Sequence, residues 1–266
     1  MGTFVRGPMA IDAEPIGPVA PSNEWNIVGQ IDGASNTVLL VEIAGQRFSY
    51  KPQSGETPLW DFPHGTLGRR ERAVAAIDAA LGWDLVPATT WVTDAPLGPG
   101  ALQRWVEHEP TDSPVELFSA EALPSEWIPV VAGTDASGSQ LILAHEASSE
   151  LMRLAVLDAL VNNADRKGGH ILRCGDGRIV AIDHGICLNE EPKLRTVLWG
   201  FASQPIPDVI LSELAESDLA TDDPELWPGL TDLERQALTA RREALLSDRT
   251  FPLPSGDWPA LPWPLM

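Results

Sequence analysis

The sequence is short of three things, and each shortage removes a class of protein. It contains no uncharged apolar run of about 18 residues, and its first residues lack the continuous apolar stretch of a secretory leader. Neither a membrane-crossing helix nor a signal peptide is expected, which makes a cytoplasmic protein the reading that follows. Cysteine is nearly absent: Cys174 and Cys187 are too few for a disulfide framework and lack C-x-x-C spacing, so reduced core thiols are expected. Basic residues are outnumbered, 18 Lys and Arg against 38 Asp and Glu, for a formal charge of -20. Such a field repels polyphosphate backbones and the anionic cytoplasmic leaflet, so neither nucleic acid nor membrane is an expected partner. Solubility is a commoner reason for such acidity than a dedicated basic partner.

What is present is apolar patterning over 44% of 266 residues, enough for one large or two small cores around a shared cleft. Residues 1–22, with Pro8, Pro15, Pro18 and Pro21, read as an irregular N-terminal arm. Ile27-Val28-Gly29, Thr37 to Ile43 and Arg47 to Pro52 read as strands, joined by the turns Asp32 to Asn36 and Ala44-Gly45-Gln46. Residues 67–81 carry apolar groups at 73, 74, 77, 80 and 81 and stop at Gly82, the pattern of an amphipathic helix. Strand-like runs at 85–92 and 100–107 complete a unit of five strands and one helix over 23–107. A polar, proline-rich linker is expected over 108–125, followed by a helix from Ser148 to Val161 and a hairpin of 171–174 with 179–182 around Gly175-Asp176-Gly177. Helices at about 206–218 and 231–247 and a tail rich in Pro and Trp end the second unit, 108–266. Trp258 and Trp263 are expected to pack across a surface, and Trp199 to lie in the core.

Asp165 and Asp183 form the sharpest pair. The first opens the loop Asp165-Arg166-Lys167-Gly168-Gly169-His170, the second follows the apolar strand Ala181-Ile182, and a short hairpin brings them close. Two carboxylates in one cleft suit phosphoryl transfer, one orienting or deprotonating the acceptor and the other holding a divalent cation. A lone Asp in a turn is more often a cap, but one directly after a buried strand needs a partner. Gly33, Ser35 and Asn36 in a hairpin turn could offer backbone N–H groups to phosphate oxygens, or form an ordinary hairpin. His64, His108 and His145 are read as structural or exposed.

The stretch Asn163 to Leu172 resembles the catalytic loop N-x-D-R-H-x-x-N of the atypical kinases related to phosphatidylinositol 3- and 4-kinases and to HipA-type kinases, here in an actinobacterial type. Ala181-Ile182-Asp183-His184-Gly185 resembles their A-I-D-x-G metal-binding segment, Tyr50-Lys51-Pro52 their K-P strand end, and Arg69 to Ala75 the R-R-E-x-A-A start of their small-lobe helix. The resemblance implies an α+β, two-lobed protein-kinase-like fold, a small antiparallel sheet with one helix beside a mainly helical large lobe. It implies ATP and Mg2+ or Mn2+ as cofactors, Lys51 as the phosphate cation, Glu71 as its orienting carboxylate, Asp165 as the catalytic acceptor-side group and Asp183 as the metal ligand. Gln103, Trp105 and Glu107 fall on the strand expected to bind adenine through its backbone.

Two positions depart from the pattern. His170 stands where the family has a metal-holding asparagine, which points to manganese, an indirect role or a lost ligand. Lys167 replaces a histidine and brings a cation to the transferring phosphoryl group. The function implied is a phosphotransferase acting on a protein hydroxyl or a soluble small molecule, since the acidity disfavours a lipid headgroup. A nucleotide-binding pseudokinase regulator and an AMP transferase are the alternatives.

Overall fold

The computed structural model describes residues 16–17, 19–31, 33, 35–108, 111–219 and 230–266. Most of the N-terminal arm lies outside them. The architecture is α+β and two-lobed. In the small lobe β1 (Asn26–Gln30), β2 (Leu39–Ile43), β3 (Gln46–Pro52), β4 (Thr89–Val92) and β5 (Gly100–Arg104) form one antiparallel sheet in the order β1-β2-β3-β5-β4. Between β2 and β3 the chain reverses in two residues, Ala44 and Gly45, both with positive φ (50° and 78°), the geometry whose twist matches the flanking strands. Alternation then places Leu39, Val41 and Ile43 on one face, where they meet Phe48, Tyr50, Leu102 and Trp25. The run 85–92 is strand only from Thr89.

The helix α1 (Leu67–Leu81) ends at Gly82, whose φ of 67° no β-carbon obstructs. Its first turn is capped by Glu56, whose carboxylate accepts from the N–H groups of Leu67 (3.2 Å) and Gly68 (3.0 Å). Ala73, Val74, Ile77 and Leu81 do not join the sheet core. They belong to the larger core, with Leu154, Leu157 and Val161 of α2 (Ser149–Val161) and with Ile179 and Ala181.

The large lobe holds more sheet than the sequence suggested. Where a linker was expected, β6 (Val115–Ser119) pairs with β8 (Gln140–Glu146), which also pairs with β7 (Trp127–Thr134). The linker reading was misled by Pro114, Pro124 and the acidic residues between. α2 is capped by Ser148, β9 (Ile171–Arg173) and β10 (Ile179–Ala181) form the expected hairpin, and α3 (Asp208–Glu216) and α4 (Asp232–Asp248) follow. Trp199 is half-buried and donates to Ala260 O (2.7 Å), while Phe201 is the core residue of that turn. Trp258 packs against Lys193 and Arg195, but Trp263 is exposed. His145 is fully buried against Phe201, and both cysteines are buried and free. Among the described residues no helix is long and apolar enough to cross a membrane.

Asp78, on the inner face of α1, is buried and accepts from the N–H groups of Leu85 and Val86 through Oδ2 (2.9 Å each), leaving Oδ1 without a partner. Burial pushes its carboxyl up to about 7, against those two bonds. The folded chain therefore keeps a proton that the unfolded chain releases near pH 4, so stability is lost as pH rises from about 4 to about 7, at most about 1.4 kcal/mol per unit. Asp78→Asn is expected to remove this component: thermal unfolding from pH 5 to 8 should show the variant gaining on the parent as pH rises. A difference independent of pH would mean that Asp78 ionises normally.

Candidate active site

Between the lobes lies a cavity of about 470 Å³. β3 sends Lys51 into it, opposite Ala101 of β5, and α1 sends Glu71. Lys51 Nζ donates in a short contact to Glu71 Oε1 and at 3.1 Å to Asp183 Oδ1. Glu71 is almost fully buried, whereas half of the Asp183 side chain is open to the cavity. Burial alone would lower the Lys51 ammonium, but Glu71 and Asp183 together hold it well above the ordinary lysine range. Lys51 in turn holds the Asp183 carboxyl well below the usual carboxylate range, against its burial. One ammonium thus bridges a carboxylate from each lobe, while burial raises the Glu71 carboxyl against the pull of Lys51.

Asp183 follows β10 with a φ of 62°, a left-handed conformation that Asp tolerates better than a branched residue. The bond from Ile182 N–H to His170 O (3.0 Å) ties this segment to the loop carrying Asp165. Asp165 lies on the same cavity, 2.9 Å from Lys167 Nζ. Burial raises its carboxyl, with Lys167 and Arg195 opposing. His170 Nε2 is 3.4 Å from Asp183 Oδ2, and burial lowers its imidazole to about 4, so the ring is neutral. Its Nδ1 is buried without a partner. A ligating histidine normally donates from its far nitrogen; His170 has no acceptor at Nδ1, and its Nε2 faces Asp183. Among the described residues no group of three or more His, Cys, Asp and Glu side chains is placed to hold a metal ion.

Gly33, Ser35, Asn36, Gln103 and Trp105 also line the cavity, but Glu107 does not. It is exposed and paired with Arg47 (3.1 Å), because β5 ends at Arg104 and the chain turns away. Asn36 Oδ1 accepts from Thr57 N–H (2.7 Å) and Ser35 O from Thr57 Oγ1 (2.9 Å), so this turn is pinned to the segment that caps α1. The Gln103 side chain donates to Thr89 Oγ1 (2.9 Å). Arg104 N–H and Trp105 N–H bond to Ala88 O (2.9 Å) and Arg47 O (3.1 Å), while Val106 N–H has no internal acceptor among the described residues. Val106 is therefore the peptide of this stretch whose N–H stays available on the cavity, a position the sequence alone did not distinguish. His108 is exposed, as expected, at the edge of the same cavity.

The groups that hold the loop were not singled out. Arg166 and Asp158 are wholly buried, with Asp158 accepting from Arg166 Nε (3.1 Å) and Nη2 (3.0 Å), Asn163 Nδ2 (3.0 Å) and Thr196 Oγ1 (3.2 Å). Arg166 Nη1 donates to Ile182 O (2.8 Å) and Nη2 to His184 Nε2 (2.6 Å), a ring that burial and Arg166 keep neutral. An Asp among apolar neighbours on the inner face of α2 was the available signal, because a buried charge requires a counterpart.

No family model matches the chain. The Mycobacterium tuberculosis protein Rv2133c is 43% identical over 263 residues, 92% of this chain and 94% of that protein. The chain belongs to the Rv2133c family. Phosphatidylinositol 4-kinase gamma 1 of Arabidopsis thaliana is 26% identical over 192 residues, 66% of this chain but 32% of that protein. Among solved structures, the Helicobacter pylori proinflammatory kinase CtkA is similar with a TM-score of 0.45 and 15% identity over 86% of this chain and 93% of that one. The relation of this Rv2133c-family chain to kinases thus has weak support from the plant protein's sequence, while the HipA side of the resemblance rests on the loop motif alone.

Asp158→Ala is expected to destabilise the fold by about 3–5 kcal/mol, because it strands a buried guanidinium. Asp158→Leu combined with Arg166→Met should recover part of that loss. Urea unfolding of the single and double variants measures both, and a single variant within about 1 kcal/mol of the parent would contradict the assignment.

Proposed function

We propose that this chain is an ATP-dependent, divalent-metal-dependent phosphotransferase. The observation that carries the reading is the Lys51 ammonium shared by Glu71 and Asp183 on a cavity that also receives Asp165. In this reading Lys51 pairs with nucleotide phosphates and Glu71 keeps it in place. Val106 N–H and the Gln103 to Trp105 backbone face the adenine. Asp165 takes the proton of the acceptor hydroxyl as its oxygen bonds to the γ-phosphorus and the bond to the β–γ bridging oxygen breaks, releasing ADP. Lys167 balances charge beside Asp165. Mg2+ or Mn2+ would be held by Asp183, with His170 beside it, and would neutralise phosphate charge. One half-exposed carboxylate, already shared with Lys51, fits a hard cation that keeps waters and phosphate oxygens as its other ligands.

The acceptor in this reading is a protein hydroxyl or a soluble small molecule, because a chain of charge -20 is repelled by anionic headgroups. The partnerless Nδ1 of His170 and the lone metal carboxylate favour one second reading, a regulator that binds nucleotide without turnover.

With labelled ATP and Mg2+ or Mn2+, turnover is expected, and Asp165→Ala and Asp183→Ala should each lower it by about 10²–10⁴-fold. Product mass separates added phosphate from added AMP. A metal-dependent thermal shift with ATP but no turnover would favour the regulator, and neither response would end the nucleotide reading. The raised Asp165 carboxyl adds a pH signature: kcat should fall on acidification at a pH above the ordinary aspartate range, as Asp165 takes up its proton.

A further inference from the structure

Arg70 stands next to Glu71 in α1, yet its side chain points away from the cavity and is entirely buried. Its Nη1 donates to Cys187 O (2.8 Å), its Nη2 to Glu234 Oε1 (2.5 Å) and its Nε to Thr66 Oγ1 (3.3 Å), with the guanidinium 4.9 Å from the centre of the Phe62 ring. Cys187 lies four residues beyond Asp183. Glu234 closes the capping box of α4, accepting from Thr231 N–H (2.8 Å) through its other oxygen. Arg70 thus fastens the helix that carries Glu71 to the segment that carries Asp183 and to α4.

A second buried cation repeats the joint. Lys193 is 2% exposed; its Nζ donates to Asp61 Oδ2 (2.7 Å), with the rings of Trp60 (4.9 Å) and Trp258 (5.0 Å) over it. Asn189 Nδ2 adds a bond to Asp61 O (2.9 Å). The apolar side of α1 agrees, since Val74, Ile77 and Leu81 pack into the large-lobe core rather than the sheet core. α1 therefore packs on both lobes, lying on β4 and β5 of the sheet while its apolar side chains and Arg70 reach into the large lobe.

We propose that Arg70, backed by the Asp61–Lys193 pair, is a positioning residue that holds α1 in place, so that Glu71 meets Lys51 whether or not nucleotide is bound. Swinging α1 away would leave a fully buried guanidinium without its carboxylate and carbonyl, among the costliest of single changes. Lysine offers a point charge in place of the planar fork and does not reproduce the three directed bonds to Thr66, Cys187 and Glu234. The catalytic consequence rests on the phosphotransferase reading; the clasp itself does not.

Hydrogen exchange read by mass spectrometry, on the full chain without nucleotide, tests it in the parent, Arg70→Lys and Glu234→Gln. Exchange of the α1 amides is expected to rise about tenfold or more in both variants, while β3 and β5 stay within about twofold. ATP turnover should fall about tenfold in kcat, with KM changing less, and Glu234→Gln, which keeps an acceptor oxygen, should be the milder. Unchanged α1 exchange in folded variants, or a rise shared equally by β3 and β5, would overturn the proposal. If the parent shows no turnover, the phosphotransferase reading falls while the exchange result still decides the clasp.

Discussion

The site depends on one ammonium group with two anionic neighbours from different parts of the fold. Lys51 reaches from the sheet of the small lobe to Glu71 on α1 and to Asp183 after β10, three positions separated by 20 and 132 residues along the chain. Each partner makes sense of the others. Burial opposes the charge on Lys51, and the two carboxylates reverse that opposition. The same charge keeps Asp183 ionised against its own burial. In a chain of charge -20, Lys51, Arg104 and Lys167 are the lysines and arginines that line the cavity among the described residues.

Around that contact, buried cations serve as rivets. Arg166 ties the Asp165 loop to α2 and to Ile182, Arg70 ties α1 to the segment after Asp183, and Lys193 ties that segment to the loop containing Asp61. Each is desolvated and each is matched by a carboxylate with further hydrogen bonds, the condition under which a buried charge is tolerable. The network constrains geometry more than it adds to stability. A shift of any one segment leaves a charge without its partner, so the loop, the strand end and α1 are specified together. Glu56 and Thr57 extend the same logic to the turn at Ser35 and Asn36, which is linked to the first turn of α1 rather than left as a free flap.

Local pattern carried much of this to the sequence level. The 3.6-residue period of α1 and α2, the glycine at 82, Ser148 as a cap and the Gly175 to Gly177 turn each express short-range physics, and the structure has them where expected. The three-stranded sheet of 115–146 was missed because its strands are largely half-exposed and β7 is interrupted at Pro129, so their alternation is faint. Leu141 to Ala144 after the turn at Asp135 to Gly138 was the signal available for it. Glu107 was placed on the cavity because it continues an apolar run, and the end of β5 at Arg104 takes it outside.

From the order of its residues alone, this chain declared its helices, its strands other than β6 to β8, its acidity and the two aspartates flanking a hairpin, since each depends on neighbours within a few positions. Which cations pair with which carboxylates, that α1 shares its core with the large lobe, that Asn36 is spent on Thr57 and that Val106 keeps a free N–H were decided by tertiary structure. Those outcomes depend on desolvation and on distances between segments dozens of residues apart, quantities that have no value until the chain has folded.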